Sequence, residues 1–456
     1  MFDFYVGNPS FGGKSRVEEW QLLVHVCRRW RNLVLGSPLR LNLRLYCTPQ
    51  TPARDTLHVW PAFPLIVDGY LAPESTDNVI TTLSQSNRVC QVSLYNLAGR
   101  QLEQVLAAME LPFPELTGLR LSSDRDTPPV IPDSFLGRSA PCLRIFTLEG
   151  IPFPGLPKVL LSSHHLVSLH LYHIPHSGYI SPEAIVGLIS ELSSLEWLDL
   201  EFESPRSCPD SGTRRTPPSK RSVIPALSSL YFKGVTEYLE DLVARIDTPQ
   251  LNYMDIRFFN QINFDTPRLA QFINCTPTLR ARDGAHVRLS DFFARVELQP
   301  ELWIAISCQE PDWQLSFIEQ VCNSSLNPLP TVEDLYIEHE YSKLVWKNDA
   351  IENTLWLQLL VPFIAVKNLY LSKDFSPGIA AALQGLVGGR ITEVLPSLQK
   401  IFVKGLESSG SFQENIGQFV AARQLSGHNI TISDWVSDRV RLPLTMYTRT
   451  PTWRTS

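Results

Sequence analysis

A six-residue stencil, apolar-x-x-apolar-x-apolar, returns along this chain about every 28 residues, and a chain that does so must stack repeats rather than close one globule. Ten copies keep the full pattern: Val89/Val92/Leu94, Leu116/Leu119/Leu121, Leu143/Phe146/Leu148, Leu166/Leu169/Leu171, Leu195/Leu198/Leu200, Leu227/Leu230/Phe232, Leu251/Met254/Ile256, Val332/Leu335/Ile337, Val366/Leu369/Leu371 and Leu398/Ile401/Val403. Weaker copies sit at Leu43/Leu45, Leu65/Val67, Val287/Leu289, Ile304/Ile306 and Ile430/Ile432. An ordinary α/β protein with leucine-rich strands would not hold ten copies in one register.

Each stencil reads as a short strand whose last two apolar positions face a shared core, because alternate residues of a strand point opposite ways. One such unit cannot bury its apolar face alone. Neighbours must stack with parallel strands, and the intervening segments must cover the outside. Residues 181–192 show such a cover: Pro182 suits a first helical turn, and Ile185, Leu188, Ile189 and Leu192 recur at helical spacing. The expectation is an α/β leucine-rich-repeat solenoid, an irregular horseshoe with parallel strands on its concave face. The commonest pattern of this kind has Asn or Cys three residues beyond the final apolar position. Here that place holds Leu97, Asp124, Ile151, Ile174, Val235, Phe259 and Leu406. Backbone polar groups at the turns must then be met differently from repeat to repeat.

Composition narrows the function classes. Forty basic against forty-six acidic residues leave a formal charge of −6, which argues against nucleic acid or an anionic membrane as the main partner. Eight dispersed cysteines without a C-x-x-C, and the lack of a recognisable signal peptide, read as reduced thiols in a cytoplasmic or nuclear protein. No apolar run reaches the roughly 18 residues of a membrane span. The sequons at Asn274, Asn323 and Asn429 then read as accidental.

Catalytic and metal patterns are thin, and neither an enzyme, a metal site nor a cofactor is expected. His170, His173 and His176 have H-x-x-H-x-x-H spacing, but strand residues three apart face opposite sides. His339-Glu340 lacks a second histidine, no G-x-S-x-G elbow occurs, and Gly385–Gly389 lacks the Lys-Ser/Thr of a phosphate loop.

Binding is expected on the outward strand positions. Around the final apolar pairs these include Trp197, Asp199, Tyr231, Tyr253, Asp255, Tyr336, Tyr370 and Phe402. Tyr231, Tyr336, Tyr370 and Phe402 hold the same central place in four repeats, and aromatic anchors among charges make a protein-binding patch.

The N-terminus carries a second signal. Ser15-Arg16-Val17-Glu18 has capping-box spacing, and Leu22, Leu23, Val26, Cys27, Trp30, Leu33 and Val34 then recur on one helical face. Gly36-Ser37-Pro38 stops the helix. The run Leu22-Leu23-Val24-His25-Val26-Cys27-Arg28-Arg29-Trp30-Arg31-Asn32-Leu33-Val34 resembles the last helix of an F-box, and an F-box helix before irregular leucine-rich repeats resembles the large F-box families of fungi. The resemblance covers about 25 residues. Met1–Gly13 offers no counterpart of the family's opening Leu-Pro segment and first helices, so the motif is either begun late or degenerate. The resemblance implies a substrate receptor: Leu22, Leu23, Val26, Cys27, Trp30 and Leu33 would dock on a Skp-type adaptor of a cullin ubiquitin ligase, and the repeats would hold the target. The other reading of the same helix is a cap over the first repeat's core.

The organisation expected is therefore a partial F-box helix or cap over 1–38, a solenoid over 39–433 and a tail over 434–456. Residues 203–222, without apolar periodicity, read as a disordered loop. Within it Arg214, Arg215, Lys220 and Arg221 are basic, and Thr216 precedes a proline.

Overall fold

The computed structural model describes residues 25–36, 43–124, 128–153, 158–208, 220–260, 264, 266–279, 284–298, 301–324, 326, 329–340, 352–386, 391–405 and 411–435. It divides into two compact units, Met1–Arg280 and Ala281–Ser456.

In the first unit, β1 (Leu45–Cys47), β2 (Leu65–Tyr70), β3 (Val89–Leu97), β4 (Gly118–Ser123), β5 (Ile145–Glu149), β6 (Ser168–Ile174) and β7 (Trp197–Phe202) lie side by side in chain order. A short parallel pair, β8 (Ser222–Val223) and β10 (Ile246–Asp247), stands apart. The main sheet continues through β9 (Ser229–Gly234) and β11 (Tyr253–Phe258), and every pairing in it is parallel. In the second unit, β12 (Gly284–Leu289) is followed by β13 (Phe293–Leu298) and β14 (Leu302–Ser307) in an antiparallel meander. On its other side β12 pairs in parallel with β15 (Asp334–His339), then β16 (Asn368–Leu371), β17 (Lys400–Val403) and β18 (Thr431–Asp434). Both units are α/β solenoids of the leucine-rich-repeat kind, with strands added in parallel and helices between them except at the antiparallel β12–β14 meander.

The core is the stencil. Leu119, Phe146, Leu169, Leu198, Leu230 and Met254 pair strand to strand in one row, and Leu121, Leu148, Leu171, Leu200, Phe232 and Ile256 in the next, all buried. Helices close the same side. The helix Pro182–Ile189 starts where expected: Pro182 is its first residue, the Ser181 hydroxyl accepts from Ala184 N at 3.2 Å, and Ile185, Val186, Leu188 and Ile189 are buried. The next two helices, Thr236–Arg245 and Pro267–Cys275, are linked by a side chain. Glu240 of the first accepts from Arg268 N and Leu269 N of the second, at 3.1 and 2.7 Å, meeting two donors that a helix start leaves unpaired.

The place of the usual asparagine ladder is largely filled by apolar burial. Leu97, Ile151, Ile174 and Phe259 all go inside. Polar links between repeats are improvised, as the sequence requires. Gln101 accepts from Ala98 N and donates to Leu71 O, Ser163 donates to Ala140 O, and Gln314 donates to Ser290 O and Cys308 O.

Three features depart from the sequence reading. The weak copies at Leu43/Leu45, Val287/Leu289 and Ile430/Ile432 are displaced by two residues: the pairs aligned with their neighbours are Leu45/Cys47, Ala285/Val287 and Ile432/Asp434. A shift of two preserves the inward face, so the stencil survives while the row changes. Val287 and Ile304 are not successive repeats either, because the antiparallel β13 lies between their strands. Lastly, part of the span 203–222 has defined structure. Pro205–Ser207 form a 3-10 turn with Ser207 buried, and Ser222 lies in β8, whereas 209–219, with Arg214, Arg215 and Thr216, lies outside the described residues.

No helix among the described residues is long and apolar enough to cross a membrane.

Candidate functional site

The face of each sheet opposite the core is where the outward strand residues gather, since the apolar stencil commits the other face. In the second unit the central row is aromatic. His286, Tyr336, Tyr370 and Phe402 are paired across β12, β15, β16 and β17. Their rings stack in one ladder, with centroids 4.2, 4.2 and 4.6 Å apart and planes within 10° of parallel. Trp435, one residue past β18, is fixed by its N–H to Val403 O and sets its ring against Tyr336 at 5.9 Å and Tyr370 at 5.6 Å. The tyrosine and phenylalanine rings are half-buried, so their edges reach solvent.

Charges frame this ladder on the meander side. Glu297 takes Arg295 at 2.8 Å and Arg288 at 3.4 Å, Glu338 takes Arg288 and His286, and Glu340 takes Arg295. The Arg295 guanidinium also lies 4.7 Å over Trp303. The His286 ring nitrogen 3.7 Å away, with the charge of Arg288, holds the Glu338 carboxyl below the usual glutamate range despite its burial. Burial pushes both Tyr336 and Tyr370 up, and neighbouring Asp334 adds to it.

In the first unit the corresponding face holds Trp197, Tyr231 and Tyr253. Trp197 stacks on Tyr231 at 6.3 Å and 13°, and Tyr231 meets Tyr253 at 5.0 Å. The middle row runs Thr147, His170, Asp199, Tyr231, Asp255 across β5, β6, β7, β9 and β11. Arg257 holds Asp255, with Nη2 3.0 Å from Oδ2. His170 Nδ1 and the Tyr172 hydroxyl both meet Asp199 Oδ2, at 2.7 and 2.5 Å. Burial, reinforced by the Asp199 carboxylate, pushes the Tyr172 hydroxyl far up.

Each of the eight residues expected to bind stands on the sheet face of its own unit opposite the core, but they do not share one environment. Trp197, Tyr231, Tyr336, Tyr370 and Phe402 are half-buried, while Asp199, Tyr253 and Asp255 are buried. Tyr253 has Tyr231 beside it and Asp255 has Arg257, so neighbouring side chains close over positions that alternation alone assigns to solvent. His170 is buried too, with Asp199 from the next repeat as its partner. His286 and Trp435 were not legible as members of the ladder. The displaced weak copy puts Arg288, not His286, at the centre of its repeat, and Trp435 falls beyond the last stencil. Among the described residues no group of three or more His, Cys, Asp or Glu is placed to hold a metal ion.

At the N-terminus a helix runs over Arg28–Leu35. Cys27 before it is extended, with φ −162° and ψ 168°, so the long helix expected through Leu22, Leu23 and Val26 is broken at this residue. Val26 is 63% exposed and Leu33 50%, Cys27 is exposed, Trp30 is half-buried, and Val34 goes fully inside. The His25 ring meets Trp60 edge-on, and nearby Val59 is 70% exposed. Leu22 and Leu23 lie outside the described residues.

No protein-family model matches the chain, and no curated protein matches it. Among solved structures it is similar to the leucine-rich repeat-containing protein LegL7 from Legionella pneumophila, at 15% identity over 84% of this chain and 98% of that one, with a TM-score of 0.29. It is also similar to a chain of the TLR13–ssRNA13 complex, at 14% identity over 83% of this chain and 52% of that one, with a TM-score of 0.35.

Proposed function

We propose that this chain is a non-catalytic repeat scaffold that captures a protein on the sheet face opposite its core, and that its F-box-like N-terminal helix joins the captured protein to a cullin ubiquitin ligase. The observation that carries the capture reading is the ladder His286–Tyr336–Tyr370–Phe402. Four rings in one row, with half-exposed edges and paired charges at one side, have the make-up of an interface centre rather than of a solvated strand face. Converting Tyr231, Tyr336 and Tyr370 together to Ala should abolish partner capture while the strands persist by circular dichroism. Unchanged capture by a folded triple variant would overturn the reading.

The ubiquitin step is supported by the resemblance and by Val26 and Leu33, two apolar side chains of the resembling run that are left exposed. A pull-down with purified Skp-type adaptor tests it, with Trp30→Asp, Leu33→Asp as the control. Binding lost in the control supports adaptor docking. A second reading, a binding scaffold without a ubiquitin role, is favoured by the extended Cys27, which interrupts the helix within the resembling run. Failure of the wild-type chain to bind adaptor would select it.

A further inference from the structure

We propose that Asp199, with His170 and Thr147 beside it, receives one arginine side chain of the captured protein. This rests on the reading that the sheet face captures a protein, and names the chemistry of the contact. Thr147, His170 and Asp199 are consecutive members of one row across β5, β6 and β7. All three are buried, and the side chains of His170 and Asp199 are each 7% exposed. The carboxylate oxygen Oδ2 is already used by His170 Nδ1 and the Tyr172 hydroxyl. Since a carboxylate only accepts, Nδ1 carries a proton towards Asp199. Asp199 Oδ1, His170 Nε2 and Thr147 Oγ1 have no hydrogen-bond partner in the protein. Buried polar atoms are rarely left so in native structures, and a carboxylate oxygen with a ring nitrogen and a hydroxyl beside it suits a cation with several donors.

The same row shows which cation. Asp255 lies one strand beyond Tyr231, as Asp199 lies one strand before it. Two residues further along β11, Arg257 folds back and pairs with Asp255. The residue in the equivalent place on β7 is Glu201, joined in register through Lys233. The chain therefore supplies its own arginine to one aspartate and a second acid to the other. A guanidinium has five donors in one plane, spans acceptors on strands about 4.8 Å apart, and stacks on aromatic rings, which Trp197 and Tyr231 provide at the border of the row. The unpartnered atoms are closed to solvent in the unbound chain. Entry requires the side chains that close over them to change rotamer, an adjustment that interfaces commonly make on binding.

The test is selection of a random peptide library on the full chain, followed by titration of the recovered peptide and its Arg→Lys and Arg→citrulline counterparts. The expected result is arginine enriched at one position, with citrulline weakening binding by about tenfold or more, as for loss of a charge-assisted hydrogen bond. Asp199→Asn should remove that discrimination between arginine and citrulline in a chain that stays folded by circular dichroism, with a lower thermal midpoint from its weakened bonds to His170 and Tyr172. If Asp199→Asn does not fold, Glu201→Gln on the half-buried neighbour should reduce the discrimination instead. Peptides that bind equally with citrulline, or discrimination that survives Asp199→Asn in a folded chain, would overturn the arginine site, leave capture standing and assign the row to buried water only. Recovery of no peptide, with capture also unchanged in the Tyr231/Tyr336/Tyr370 variant, would overturn both readings.

Discussion

The ring of Tyr336 lies 4.2 Å from the ring of Tyr370 and 10° from parallel, because the two residues are direct partners across β15 and β16. Tyr370 also touches Phe402 and Trp435, so one side chain ties three strands of the second unit and the residue after a fourth. Ring pairs are worth about 0.5–1.5 kcal/mol each beyond their buried area, and Tyr370→Ala should therefore cost about 2 kcal/mol. Urea unfolding of this variant beside Tyr370→Phe, which keeps the ring and should stay near wild type, checks it.

Arg423 should be a second point of weakness. It is fully buried, and its Nη2 donates to Val394 O at 2.6 Å and Leu395 O at 3.0 Å, at a turn where Leu395 has φ +49°. Those carbonyls have left the regular ladder, and the guanidinium is what meets them. Arg423→Met fills similar space but strands both acceptors, for a loss of about 3 kcal/mol. A denaturant midpoint no lower than that of wild type would refute this role.

Glu240 links two neighbouring helices through backbone donors, so its substitution should act on the helix it does not belong to. Glu240→Ala is expected to cost about 1 kcal/mol, as the loss of a helix cap does. Hydrogen exchange should rise first at Arg268 and Leu269, whose N–H groups it holds.

Glu338 gives the second unit a dependence on acid. Its folded pKa lies below the ordinary 4.5, chiefly through the neighbouring His286 and then through Arg288. A depressed carboxylate stabilises above its unfolded value, and that contribution is lost as pH falls through the folded one. Wild type should lose stability below about pH 4.5, and Glu338→Gln should be less stable at neutral pH with a flatter acid limb. Parallel acid limbs for the two proteins would contradict the assignment.

The sequence by itself determined the repeat, the parallel strands and the inward face of every strong copy. Leu119, Leu198 and Ile401 each stand where their stencil puts them, because an apolar residue at period two has only one buried face to choose. It also put Tyr336, Tyr370 and Phe402 on the side of their strands away from the core. Only the tertiary structure decided what those residues became. Asp199 is buried because His170, 29 residues earlier, and Tyr172 lie on the adjoining strand, and His286 rather than Arg288 heads the ladder because Ala285 takes an inward place too small to mark the stencil. The inward face is set by local alternation, whereas the environment of an outward residue is set by side chains one repeat away, which no single repeat encodes.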